Sequence, residues 1–169
     1  MLVAVSFLSI NAKNISKMYL QHQSERGNVV FVFEQKMDAA DKNQGVKNIA
    51  YDLTYVEEPD SVSILSTIKL KQAEKPDKIT ITNGTEEYIS EPEVIFVNAK
   101  GKDTVYRLKV VVPFAFLCQI YAAPEAYKII YTFSNGNRKK NYVFADKKWT
   151  KQKETMNALL DIIKLNTGR

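Results

Sequence analysis

Apolar and polar side chains alternate most regularly in the middle of the chain, between residues 103 and 146. Over residues 105–112 every second position is apolar, and successive side chains of a strand point to opposite faces of a sheet. We therefore predict a half-buried strand here. Pro113 cannot donate a hydrogen bond to a sheet ladder, so we expect the chain to bend there or to start a second strand.

The residues after Pro113 predict more β-structure. Residues 114–121 are apolar at nearly every position, which is typical of a strand covered on both faces. Residues 127–133 alternate again, and Asn135-Gly136 favours a tight turn before a further strand at residues 142–145. Together these segments predict an antiparallel meander.

The first half of the chain predicts further strands with turns between them. Asn83-Gly84 is the strongest short hairpin signal in the sequence. The polar residues 36–47 are predicted to form a loop. The segments with strand-like composition or alternation are residues 29–34, 49–55, 62–70, 78–82, 86–89 and 93–98.

The periodicity changes after Asp146. Apolar residues then fall on one side at helical spacing, and we predict an amphipathic closing helix at about residues 148–165. We expect it to cover the second face of the strand predicted at residues 114–121, and contact with a membrane surface or a partner is the alternative. The apolar stripe consists of Trp149, Met156, Leu159, Leu160, Ile162 and Ile163.

The chain is 169 residues long and 45% hydrophobic, which is enough for one packed core. We predict a mainly β fold, an antiparallel β-sandwich or a partly open barrel of about 8–10 strands, with one C-terminal amphipathic helix. Residues 13–169 are expected to form this single β-rich domain. A barrel followed by a helix is similar in outline to lipocalin-type carriers, although their glycine-tryptophan pattern on the first strand is absent.

Residues 1–12 have two interpretations. Residues 2–10 are apolar and Ala12 follows them, as at the end of a secretory signal, which would make the protein secreted or periplasmic. The positively charged start of such signals is missing, so these residues are alternatively a first strand of a cytoplasmic protein. We expect no integral membrane segment elsewhere, because no other stretch is long and apolar enough.

Charge is distributed unevenly along the chain. Up to Glu93 there are 10 basic and 14 acidic residues, and from Val94 onward 14 basic and 5 acidic, which gives −4 and +9 within the total of +5. A basic region favours anionic partners, although the two halves could also face and neutralise each other. The densest basic cluster, with an aromatic ring suited to a base or sugar, supplies the candidate ligand-binding residues. These are Arg138, Lys139, Lys140, Tyr142, Lys147, Lys148 and Lys151.

Signals for catalysis or metal binding are weak. His22 is the one histidine, and Cys118 lies in the most apolar run without a charged neighbour. Asp41, Asn43 and Gly45 match only the start of a calcium loop. No dinucleotide, P-loop, hydrolase or zinc-protease motif occurs in the sequence. We therefore predict no enzyme activity, no cofactor and no metal site.

Two functions are consistent with these patterns. The first is a non-enzymatic binding or interaction module, exported under the first interpretation of residues 1–12. Its partner would be a protein or an anionic polymer, held through the basic C-terminal half with a strong salt dependence. The second is a lipocalin-like carrier of a small apolar ligand in an aromatic-rich β-barrel, which predicts an interior cavity. No pattern in the sequence indicates an oligomeric state.

Overall fold

All ten strands of the described residues belong to one antiparallel sheet. The computed structural model describes residues 15–40, 48–71, 74–133, 136–144 and 146–168, with Lys100, Asp146 and Lys147 described by their backbone alone. The helices are α1 (Phe114–Ala122) and α2 (Asp146–Thr167). The strands are β1 (Tyr19–Ser24), β2 (Gly27–Ala39), β3 (Asn48–Val56), β4 (Ser61–Leu70), β5 (Lys78–Thr82), β6 (Glu87–Ser90), β7 (Glu93–Lys100), β8 (Asp103–Pro113), β9 (Lys128–Phe133) and β10 (Arg138–Val143).

The sheet curls into a half-barrel. Its strand order is β6-β5-β9-β10-β2-β3-β4-β8-β7, and β1 pairs with β2 beside that path. This confirms the predicted mainly β fold, a partly open antiparallel barrel with a C-terminal helix. The hairpin predicted at Asn83-Gly84 joins β5 to β6, and Gly84 adopts a φ of 95° that other residues rarely reach.

Strand alternation places the core on the concave side of the sheet. In β4 and β8 nearly every second residue is buried. Paired residues such as Ile64 with Val110 and Ile68 with Tyr106 bury apolar surface from neighbouring strands. Full burial of such a side chain contributes about 1.5–3 kcal/mol, so this face stabilises the curled sheet.

The strand predicted at residues 114–121 is wrong, because these residues form α1. Pro113 ends β8 and is the N-cap of the helix. Phe114, Leu117 and Tyr121 lie at helical spacing and are buried. A continuous apolar run does not distinguish a doubly covered strand from a buried helix. Pro113 is compatible with the helix because the first turn of a helix needs no N–H donor at that position.

The predicted meander is also wrong, because α1 separates its strands. β8 pairs with β4 and β7, whereas β9 and β10 lie between β5 and β2. α1 packs beside β8 and β4, and its Phe116 contacts Tyr88 of β6, with the ring centroids 5.4 Å apart. α1 therefore links β8, next to one edge of the sheet, to β9, the third strand from the other edge.

The predicted closing helix is confirmed, and α2 extends slightly beyond both predicted ends. Its apolar stripe is buried at Trp149, Met156, Leu160 and Ile163. The expectation that it covers a doubly apolar strand is wrong, because that strand is α1. Instead α2 packs against α1 and β2 on the concave side.

The loop predicted at residues 36–47 is wrong for residues 36–39, which belong to β2. β2 continues to Ala39, and Met37 is fully buried. Residues 41–47, which include the calcium-loop-like Asp41, Asn43 and Gly45, lie outside the described residues. Residues 1–12, with their two interpretations, also lie outside them.

Candidate ligand-binding groove

Strand alternation divides the basic cluster predicted on β10 between two faces of the sheet. Arg138, Lys140 and Tyr142 pair with buried residues of β9 and so face the concave side, whereas Lys139 is exposed on the convex side. Tyr142 is fully buried, edge-on to Tyr131 with the ring centroids 5.7 Å apart. It is a core residue, and its ring offers no surface on which a base or sugar could stack.

Arg138 and Lys140 lie at one end of the half-barrel. The Arg138 guanidinium lies over the Phe133 ring, 4.9 Å from its centroid, and forms an ion pair with Glu74. Lys140 is partly buried, and burial, together with the nearby charges of Arg138 and Lys71, lowers the pKa of its ammonium group. The cations at this end are therefore partly compensated by protein groups and partly repel each other.

Lys148 and Lys151 belong to a different place, a groove of about 880 Å³ between α2 and β2. Lys148, Lys151 and Thr155 are three or four residues apart and so line the groove from one face of α2. Lys17 and Lys36 line it from the segment before β1 and from β2. We call this site the lysine groove and define it by Lys17, Lys36, Lys148 and Lys151. The side chain of Lys147 lies outside the described part.

The groove lies where β2 extends past its two partners on one side. β2 has 13 residues, whereas β1 and β10, which share that side, have 6 each. β1 pairs with β2 over Gly27 to Val32, and β10 meets it only at Asp38 and Ala39. On the side of β2 that faces β1 and β10, residues 34–37 lie between these two ladders and pair with no described strand. A register shift between β2 and β3 lies next to them. The lysine groove lies over this gap in the wall of the half-barrel, with Gln35 and Lys36 at its margin.

The floor of the groove is apolar. Ile15 and Phe144 line it and are 9% and 4% exposed, and Met18 lines it while half-buried. The Phe144 ring packs edge-on against Tyr127, with 5.5 Å between centroids, and stacks on Trp149 at 5.7 Å. All four lysines, by contrast, are exposed. The site therefore combines a charged rim with an apolar floor.

Three tyrosines lie beneath this floor, and we call Tyr51, Tyr121 and Tyr127 the tyrosine cluster. The Tyr127 hydroxyl donates to the Tyr51 hydroxyl at 3.1 Å, and the Tyr121 and Tyr127 hydroxyls are 3.1 Å apart. Gln152, which lines the groove, donates from Nε2 to the Tyr51 hydroxyl at 3.4 Å. Burial raises the pKa of all three phenols, so they are neutral at physiological pH.

The chemistry that these groups offer is attraction and hydrogen bonding. Lys148 forms an ion pair with Asp38 at 2.7 Å, and Glu154 is the acidic residue that lines the groove.

Burial raises the pKa of the Cys118 thiol, which is therefore protonated at neutral pH. In the described ranges no group of three or more His, Cys, Asp or Glu side chains is arranged to hold a metal ion.

Two of the four lysines that define the groove are among the candidate ligand-binding residues predicted from the sequence. Lys148 and Lys151 were predicted, whereas Lys17 and Lys36 come from the acidic half of the chain, in segments that carry no recognisable signal. Gln152 did leave a signal, because it is a polar residue within the otherwise apolar stripe of α2 between Trp149 and Met156. A polar residue at such a position indicates a buried hydrogen-bond partner.

Comparisons with protein-family models, with curated proteins and with solved structures found no match to this chain. Among the helices of the described residues, none has the length and hydropathy required to cross a membrane.

Proposed function

We propose that this protein is a non-enzymatic binding module that holds an anionic partner in the lysine groove. The observation that supports this most strongly is that four lysines, from three separate segments of the chain, line one groove. Side chains of like charge repel each other, so a protein gains nothing in stability by collecting them. An anionic ligand changes that repulsion into attraction.

The groove supports this function better than the end of the half-barrel does. Arg138 already has Glu74 as an ion-pair partner and Phe133 as a stacking surface. Lys139 points to the other face of the sheet. In the groove, Asp38 compensates Lys148, and Glu154 is the further nearby acid. An incoming anion therefore meets a net positive surface.

The alternative function, a carrier of a small apolar ligand, stays a prediction. Aromatic side chains of β3, α1 and α2, together with Tyr127 just before β9, pack between the sheet and α2. The apolar floor of the groove is the place where an apolar part of a ligand would have space. Export to the periplasm or the cell exterior likewise stays a prediction, because it depends on residues 1–12.

Binding of anilinonaphthalene sulfonate (ANS), an anionic aromatic fluorophore, tests the proposal. ANS fluorescence should increase on binding, and its affinity should fall by about tenfold when salt rises from about 50 to about 500 mM, because salt screens the lysines. The double variant Lys36→Glu/Lys151→Glu should weaken binding by at least about thirtyfold at low salt.

The matched control is Lys78→Glu/Lys139→Glu, which makes the same change in net charge at exposed positions on β5 and β10. This variant should bind ANS within about threefold of the original protein. Equal losses in both double variants would mean that net charge alone attracts the probe, and the groove proposal would then be wrong.

A further inference from the structure

We propose that the ligand of the lysine groove is a single-chain anionic amphiphile, an alkyl or acyl chain with one carboxylate or phosphate headgroup. This inference rests on the proposed function and narrows its ligand class. It follows from the arrangement of charge and apolar surface within the groove, which differs with depth.

The rim fits an anionic headgroup. Lys17 and Lys36 stand on the sheet side of the groove, and Lys148 and Lys151 stand on the helix side. All four are exposed, so an anion between the two sides would keep part of its hydration while it contacts ammonium groups. Lys148 already has Asp38 at 2.7 Å, which leaves the other three lysines to supply most of the attraction.

The floor fits an apolar chain. Ile15, Met18 and Phe144 are its apolar members, and they lie below the charged rim. The polar groups beneath them are already engaged, because Gln152 donates to Tyr51 and the three hydroxyls of the tyrosine cluster bond to one another. A polar ligand group at the floor would therefore lose water and gain no partner, whereas a hydrocarbon chain would lose nothing.

The shape of the site argues against a long polyanion. A polymer needs cations along an extended track, whereas these lysines surround one concavity of about 880 Å³, a size suited to small ligands. On β10, Lys139 lies on the convex face and Arg138 pairs with Glu74, so neither of these two residues extends the track.

Displacement of ANS by dodecyl phosphate, kept below its aggregation threshold, tests this inference. Dodecyl phosphate should bind at least about thirtyfold more tightly than inorganic phosphate and than dodecyltrimethylammonium. Lengthening the chain from octyl to dodecyl should raise affinity by about fourfold for every two methylenes, which corresponds to burial of about half of the chain surface.

Two variants separate the headgroup from the chain. Lys36→Gln/Lys151→Gln should weaken dodecyl phosphate binding by about tenfold and leave the dependence on chain length unchanged. Met18→Gln, a change of similar size at a half-buried position, should reduce the dependence on chain length and leave the effect of salt unchanged. Near-ultraviolet circular dichroism should show that both variants retain the native fold.

The outcomes also separate this inference from the proposed function. If inorganic phosphate or a sulfated polysaccharide binds as tightly as dodecyl phosphate, and the double lysine variant weakens both, the groove binds anions but the amphiphile inference is wrong. If the double lysine variant binds dodecyl phosphate as the original protein does, both the inference and the proposed function are wrong.

Discussion

The tyrosine cluster and the lysine groove are neighbours, but the polar groups of the cluster are buried and hydrogen-bonded to one another, whereas those of the groove are exposed and of like charge. Gln152 lies between them, with its amide on the Tyr51 hydroxyl and its side chain in the groove wall. Inside, three fully buried hydroxyls bond to one another. Outside, four exposed lysines share one groove in which Glu154 is the lining acid.

The difference follows from the cost of burial. A buried polar group without a partner costs about 1–3 kcal/mol, so the hydroxyls beneath the floor must satisfy each other. Exposed lysines are hydrated and screened, so they can gather without a partner at little cost. We therefore expect the tyrosine cluster to govern stability and the lysine groove to govern binding.

High pH should produce the largest effect, and it should act on the interior. Burial raises the pKa of Tyr51, Tyr121, Tyr127 and Tyr131, and it raises the pKa of Tyr142 to about 12. In the unfolded chain these phenols ionise near pH 10, so the free energy of unfolding should be independent of them below that pH and fall above it. For Tyr142 alone, the loss by pH 12 amounts to roughly 2 kcal/mol.

Urea unfolding followed by circular dichroism between pH 8 and pH 12, together with tyrosinate absorbance, measures this effect. We expect the tyrosinate absorbance of these five residues to appear only as the fold is lost. Reversible ionisation of all nine tyrosines with the native spectrum retained would contradict the prediction. It would show that the tyrosine cluster is open to solvent.

The fold could largely be predicted from the sequence, because strands with one wet face record their burial as alternation. β4, β5 and β8 show that pattern. α1 could not be identified in this way, since its mean composition is apolar and both a buried strand and a buried helix fit such a run. The strand order could not be predicted either, because α1 carries the chain from β8, near one edge of the sheet, to β9, near the other.

The candidate site could be predicted less well. Lys148 and Lys151 stand out because a helix brings residues three or four apart onto one face. On β10 the same reasoning fails, because strand alternation sends Lys139 away from Lys140. Lys36 lines the groove because β2 is unpaired there, between its ladders with β1 and β10. Such a gap depends on where the partner strands begin and end in the fold, and no local sequence pattern records that.

Removal of one interior hydroxyl should have an intermediate effect. Tyr51→Phe deprives Tyr127 and Gln152 of their shared acceptor, and we expect the free energy of unfolding to fall by about 1–3 kcal/mol. Urea unfolding at neutral pH measures this. The double variant Tyr51→Phe/Gln152→Met should cost less than the sum of the two single variants, because it removes a donor along with its acceptor. Additive losses would show that Gln152 is not coupled to the tyrosine cluster.

Neutralisation of the groove should have the smallest effect on stability. Lys36→Gln and Lys151→Gln should each change the free energy of unfolding by less than about 0.5 kcal/mol, because both side chains are exposed and no ion pair fixes them among the described residues. Lys148→Gln should cost up to about 1 kcal/mol, since it leaves Asp38 without its partner. Urea midpoints at low salt distinguish the two cases. A loss well above 1 kcal/mol for Lys36 or Lys151 would mean that these lysines have counter-charges within the fold. The groove would then be a structural ion-pair site, and the contrast with the tyrosine cluster would disappear.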